Sequence, residues 1–221
     1  FRLFSLDLIE FKSDEAITLP KLFILMRKMI ATAKGAKVKK LAINFSDFSA
    51  LGRSASGGKL SDAELGEILG SQIDYANYEF LKYKTVSKEN SLIEEVIVLG
   101  ASKDAQVGIL KGNIIADEVN KTRSLSNTPG GDMTPKVLAK AAQDAVRGTK
   151  VKVRVLGEKE MKREKMEAIL AVGKGSEEES KFIIMEYLAG SKSEKPIVLV
   201  GKGVTFDTGG INLKPSNSLL G

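Results

Sequence analysis

The stretch Ile197–Lys214, IVLVGKGVTFDTGGINLK, decides how the chain is read. The apolar run Ile197–Val200 predicts a strand, and it breaks at Gly201. Lys202, Asp207 and Lys214 then follow among glycines and threonines. A strand that ends in a Gly-rich turn carrying charges is how an open α/β sheet builds a site at its carboxyl edge. Asp207 offers a hard oxygen ligand suited to Zn²⁺, Mn²⁺ or Mg²⁺. Lys202 could join it only as a neutral amine, which burial and a nearby dication would favour. Lys214 could stay charged and face a carbonyl on which negative charge develops. Spacing alone leaves a second reading open, in which Lys202 and Asp207 form an ordinary loop ion pair and Lys214 is solvated.

Composition narrows the chemistry. The 221 residues are 43% hydrophobic and 28% charged, as in an ordinary globular protein with a sizeable core. Cys and His are both absent. Disulfides, thiolate or imidazole metal sites, and Ser-His-Asp or Cys-His catalysis are therefore excluded within this chain. Any metal or acid–base chemistry falls to Asp, Glu, Lys, Tyr or backbone groups. No apolar run reaches the ~18 residues a membrane span needs. The start, FRLFSLDLIEF, is not built as a secretory signal, and it lacks an initiator Met, leaving room for a start within a longer protein. The net charge of +6 comes from lysines scattered along the chain, which read as solvated surface rather than a nucleic-acid patch.

Upstream of the opening stretch, strands alternate with helices. Phe1–Phe11 alternates apolar and polar residues as a half-buried strand does. From Thr18-Leu19-Pro20 a helix sets Leu22, Phe23, Met26, Met29 and Ile30 on one face and stops at Gly35. Val38–Phe45 reads as a strand and Ser46–Gly58 as a polar loop. Ser61 and Glu64 form a capping box for a helix carrying Leu65, Ile68, Leu69, Ala76 and Phe80. Leu92–Leu99 is a strand whose adjacent Glu94 and Glu95 point to opposite faces, which argues against a paired acid–base site. The segment 106–126 is a long helix with Ile109, Ile115, Val119 and Leu125 available for burial.

The break Asn127–Pro135 follows, with Thr134 as cap and Pro135 at the first position of a helix ending near Gly148. Strands at Val151–Leu156 and Phe182–Tyr187 flank helices at Glu158–Glu164 and Met166–Val172. Gly173–Ser176, GKGS, lacks the spacing of a phosphate loop. The alternation predicts an α/β fold: an N-terminal α/β domain over 1–105, a connecting helix over 106–126, and an incomplete catalytic α/β domain with a mixed sheet over 127–221.

Three segments in order, LSNTPGGDMTP, ILAVGKGSEEESKFIIMEY and VGKGVTFDTGGINLKPS, resemble the leucyl aminopeptidase family of dinuclear-metal aminopeptidases. The resemblance runs over about Gly108 to Ser216, while the first hundred or so residues match only in general style. It implies that Lys202 binds one metal, that Asp207 bridges two, and that Lys214 polarises the scissile carbonyl. It further implies two divalent ions (Mn or Zn), a possible bicarbonate, peptide substrates, a homo-hexamer and a cytoplasmic location. The family's later M-K-x-D-M-like and N-T-D-A-E-G-R-like segments do not occur before Gly221. The chain is therefore expected to be an N-terminal portion, with an exposed apolar sheet edge and without full metal binding or peptidase activity of its own. Two alternatives carry less of the sequence: a DNA-binding or regulatory role, as in some members of that family, and a small-ligand module in the N-terminal region. No residue of that region supports a specific ligand.

Overall fold

The computed structural model describes residues 17–85, 92–191, 193 and 195–206. The strand expected over Phe1–Phe11 lies outside them, as do Asp207 and Lys214. The chain divides into two compact units, Phe1–Ser124 and Leu125–Gly221. Both are mixed α and β.

In the first unit, α1 (Leu19–Gly35) places Leu22, Met26, Ile30 and Ala33 in the core. These follow the helical spacing of one face, and Phe23 and Met29 flank it half-buried. Strand β1 (Lys40–Asn44) pairs in parallel with β2 (Glu95–Leu99), Lys40 opposite Glu95 and Asn44 opposite Leu99. Glu94 and Glu95 hold Lys39 and Lys40 at 3.2 and 2.7 Å, so the acidic pair fastens the sheet's entry rather than forming a site.

The loop expected over 46–58 is instead helix α2 (Phe45–Ser56). Its Ser- and Gly-rich composition conceals an apolar face of Phe45, Phe48 and Gly52, all buried. The Asn44 side chain accepts from the Ser46 N–H at 3.2 Å and starts it, and Gly57 at φ 64° ends it. At Gly52 an added Cβ would strike Leu65, so glycine here is what lets α2 approach α3.

Helix α3 (Asp62–Asn77) begins with the expected capping box: Glu64 N–H donates to Ser61 Oγ at 3.3 Å and Ser61 N–H to Glu64 Oε2 at 2.8 Å. It ends at Asn77, so Phe80 lies beyond the helix. Leu65 and Leu69 are fully buried, each a stabilisation of about 1.5–3 kcal/mol. Asn77 clamps the approach to β2, donating to the Ile93 carbonyl at 2.8 Å and accepting from its N–H at 3.0 Å.

In helix α4 (Lys103–Asn127), Ile109 of the expected residues packs half-buried against the core and Leu125 is half-buried. Ala105, Gly108, Gly112 and Ala116 are buried, whereas Ile115 and Val119 are each 38% exposed. The reason lies in α3. Gly66 and Gly70 face the Ala105 and Ile109 carbonyls, and Gly108 and Gly112 face the Ala63 and Glu67 carbonyls. A Cβ at any of the four would sit inside closest approach to backbone of the other helix. Reciprocal G-x-x-x-G spacing brings the two backbones together, and Ile115 and Val119 are left partly exposed.

The second unit holds α5 (Pro135–Ala145), β3 (Lys152–Leu156), α6 (Glu158–Arg163), α7 (Glu167–Gly173) and β4 (Phe182–Glu186). Strands β3 and β4 are antiparallel, with Lys152 opposite Glu186 and Leu156 opposite Phe182. Met133, Ala139, Leu156 and Met161 are buried. The strand expected at Ile197–Val200 is not formed among the described residues. That segment pairs with no described strand, and Ile197, Leu199 and Val200 are each 92% exposed. An apolar run acquires strand geometry only when a neighbour supplies the ladder and covers its faces.

Candidate functional site

The site is laid out by two turns of the second unit. At the first, Asp132 and Met133 N–H groups donate to the Pro129 carbonyl at 2.9 and 2.8 Å, and Thr134 caps α5 through the Val137 N–H. Pro135 takes the first helical position, where its missing N–H is harmless. Gly130 sits at the bend. A Cβ there would lie 2.9 Å from the Cβ of Phe206, so glycine allows the segment after Lys202 to fold onto this turn.

At the second turn, Gly173–Ser176 closes the carboxyl end of α7. Ser176 N–H donates to the Gly173 carbonyl at 3.0 Å, and Glu178 N–H donates to Ser176 Oγ at 3.1 Å. This GKGS segment is a helix-ending turn. Glu179 then ties two elements together, accepting from the Glu158 N–H at 3.2 Å and from Lys181 Nζ at 2.6 Å. The hydrogen bond from Lys181, followed by the one from the Glu158 backbone, holds the Glu179 carboxyl below the usual glutamate range.

Between these turns lies a cleft of about 1140 Å³. Leu138, Ile169 and Val172 supply apolar wall, and Thr134, Glu178 and Lys202 supply polar groups. Lys202 is exposed at the cleft surface. Of the three expected site residues, the structure therefore places Lys202 at a concave surface and leaves Asp207 and Lys214 outside the described residues. Glu178 was not expected at the site. Its place on the wall depends on the turn after α7, which the acidic run at 177–179 does not announce. Among the described residues no group of three or more Asp or Glu residues could hold a metal ion. A single carboxylate beside lysine amines does not close a metal site, so the described residues alone do not fit a resident metal.

Residues 120–221 match the model of the cytosol aminopeptidase family, catalytic domain. The chain is 35% identical over 211 residues to the probable cytosol aminopeptidase of Rickettsia massiliae (strain Mtu5), covering 94% of this chain and 40% of that relative. The probable cytosol aminopeptidase of Rickettsia bellii (strain RML369-C) is 34% identical over 210 residues with the same coverages. The chain thus spans about 40% of the length of the curated relatives it matches. Among solved structures, a tomato leucine aminopeptidase mutant matches with a TM-score of 0.72 at 22% identity, over 91% of this chain and 42% of that one. The bottromycin maturation enzyme BotP, solved in complex with Mn, matches with a TM-score of 0.60 at 18% identity, over 76% and 33%. The α/β fold read from the sequence is the fold of these structures, and the resemblance to the leucyl aminopeptidase family holds.

Proposed function

We propose, from the match of residues 120–221 to the catalytic domain of the cytosol aminopeptidase family, that the complete protein releases amino-terminal residues from peptides. The same residues include the cleft that Lys202 lines. In this reading Lys202 and Asp207 contribute to binding two divalent ions, manganese or zinc, which supply Lewis-acid activation of water when bound. Lys214 holds a cationic ammonium against the scissile carbonyl oxygen, where negative charge gathers as the carbon becomes tetrahedral. The apolar wall of Leu138, Ile169 and Val172 excludes water from that face of the cleft. A bicarbonate ion, a hexameric assembly and a cytoplasmic location belong to the same reading. Among the described residues, no helix is long and apolar enough to cross a membrane.

The 221-residue chain by itself is proposed to be inactive, since among the described residues the cleft presents one carboxylate, Glu178, where the chemistry needs a fuller ligand set. The test is hydrolysis of an aminoacyl anilide with Mn²⁺ or Zn²⁺ by the complete protein and by this chain. The complete protein turns over, and Lys214→Ala lowers kcat by about 10²–10³, the loss typical of one removed oxyanion donor. Lys202→Met lowers bound metal as measured by elemental analysis. Unchanged metal content in Lys202→Met, or full turnover in Lys214→Ala, would remove the roles assigned here.

A further inference from the structure

The first unit carries a concave site of its own, where Arg27 of α1 and Arg123 of α4 meet Tyr75 of α3 and Val119 of α4 around a cavity of about 540 Å³. Each arginine is held in place by neutral groups. Arg27 donates through Nε to Gln72 Oε1 at 3.0 Å, and Gln72 is itself buried. Arg123 donates through Nη1 to the Tyr75 carbonyl at 3.0 Å and to Asn120 Oδ1 at 2.9 Å. Its guanidinium carbon lies 4.1 Å from the centre of the Tyr78 ring. Among the described residues no carboxylate pairs with either arginine, and the terminal nitrogens of Arg27 and Nη2 of Arg123 donate to no protein acceptor. Two other exposed cations of the unit are paired: Arg53 with Asp62, and Lys121 with Asp117 and Glu118 at 2.7 Å each.

Two guanidinium groups, each held through one nitrogen, lining a common cavity and paired with no carboxylate, offer their remaining N–H groups to a planar or tetrahedral oxyanion. We infer that this cavity binds a phosphoryl group, either free phosphate or the phosphate of a small phosphomonoester. Two cations match a dianion, which favours phosphate over a carboxylate. The volume falls within the range of small-molecule sites and exceeds what phosphate alone would fill. Tyr75 and Val119 would then line the organic part of a monoester. Nothing in this inference depends on the peptidase reading.

The experiment titrates the 221-residue chain with inorganic phosphate and, separately, with phenyl phosphate at fixed ionic strength. Heat and the arginine Nε–H resonances are followed together. Saturable binding of one equivalent, with shifts at Arg27 and Arg123, is expected for at least one probe. A tighter monoester would identify the organic part as recognised, and equal affinities would identify free phosphate; both support the site. Arg27→Gln and Arg123→Gln should each weaken binding about tenfold or more, the loss expected for a charge-assisted pair. Arg53→Gln, whose partner is Asp62, should bind as the parent does. Circular dichroism of each variant establishes that it is folded, and Arg27→Lys, which keeps charge but loses the fork, should bind with intermediate affinity if the glutamine variant is not. The proposal is overturned if neither probe saturates, if the double glutamine variant binds as the parent does, or if Arg53→Gln loses as much as the other two.

Discussion

Replacing Gly108 by alanine sets two effects of opposite sign against each other. In an exposed helix interior the change would stabilise by about 1 kcal/mol, because alanine restricts the unfolded chain and favours helix. At Gly108 the new Cβ would meet the Ala63 carbonyl oxygen and the Glu67 nitrogen of α3. Both are backbone atoms of a helix whose Leu65 and Leu69 are fully buried, so neither can swing aside as a side-chain tip would. Relief requires the helices to separate, which loosens contacts along the whole seam. Overpacking of this kind costs about 1–3 kcal/mol or more, and with rigid backbone on the receiving side the upper end applies. Subtracting the propensity gain leaves a net loss of about 1–2 kcal/mol. Gly35, with nothing near its missing Cβ, is the control; there alanine should be neutral or stabilising by up to about 1 kcal/mol. Amide hydrogen exchange at Leu65, Leu69 and Ile73 reads this unit without interference from the other. Protection in Gly108→Ala equal to or above the parent would refute the claim that backbone contact sets the α3–α4 distance. Once the helices have separated, a second alanine at Gly66 should cost less than it does alone.

Other expectations rest on single contacts. Ser61→Ala removes the acceptor for the Glu64 N–H and should cost about 1 kcal/mol in urea unfolding. The Ser61 backbone N–H, then its hydroxyl, hold the Glu64 carboxyl below its ordinary 4.5. That stabilisation is present above the unfolded value and is lost as pH falls through the folded one, so the deficit of Ser61→Ala should shrink in acid. Asp74 behaves oppositely. Burial first, and the neighbouring Asp117 second, raise its carboxyl above 3.8. Its ionisation therefore weighs against folding above that range, and Asp74→Asn should raise Tm at neutral pH but not in acid, where both states are protonated. Asn77→Ala strands the N–H and carbonyl of Ile93 and should cost about 1–3 kcal/mol; a loss well under that range would mean water replaces the side chain.

Elements whose signals are local were legible from the residues alone. The Ser61–Glu64 box, Pro135 after Thr134, and the apolar row Leu22, Met26, Ile30 each depend on neighbours within about two helical turns. The misread elements depend on distant partners. The face of α2 buries a glycine a turn after two phenylalanines, so composition reads as loop until Leu65 is known to fill the space beside Gly52. Helix α4 misleads for a related reason. Counting apolar side chains selects Ile109, Ile115, Val119 and Leu125, of which only Ile109 and Leu125 are half-buried, while full burial follows backbone proximity at Gly108 and Gly112. A signal was present, since glycines four apart recur in both α3 and α4. It takes effect only when the two helices are read together.

The same distinction explains what became of the stretch after Ile197. Its residue types and order carry a resemblance to a family, because that likeness needs no partner. Strand geometry at Ile197–Val200 and a ligand set around Lys202 both need groups from elsewhere: a neighbouring strand in one case, more carboxylates in the other. Among the described residues neither is supplied, and the apolar side chains stay exposed beside a cleft lined by two lysines, Lys181 and Lys202, and one glutamate, Glu178. If pairing is what this segment lacks, a partner polypeptide that forms the ladder should lower the exchange of the Ile197–Val200 amides and raise metal affinity at Lys202 together. Protection gained without metal affinity would separate the two, and would mean that the site's ligands are not positioned by the sheet at all.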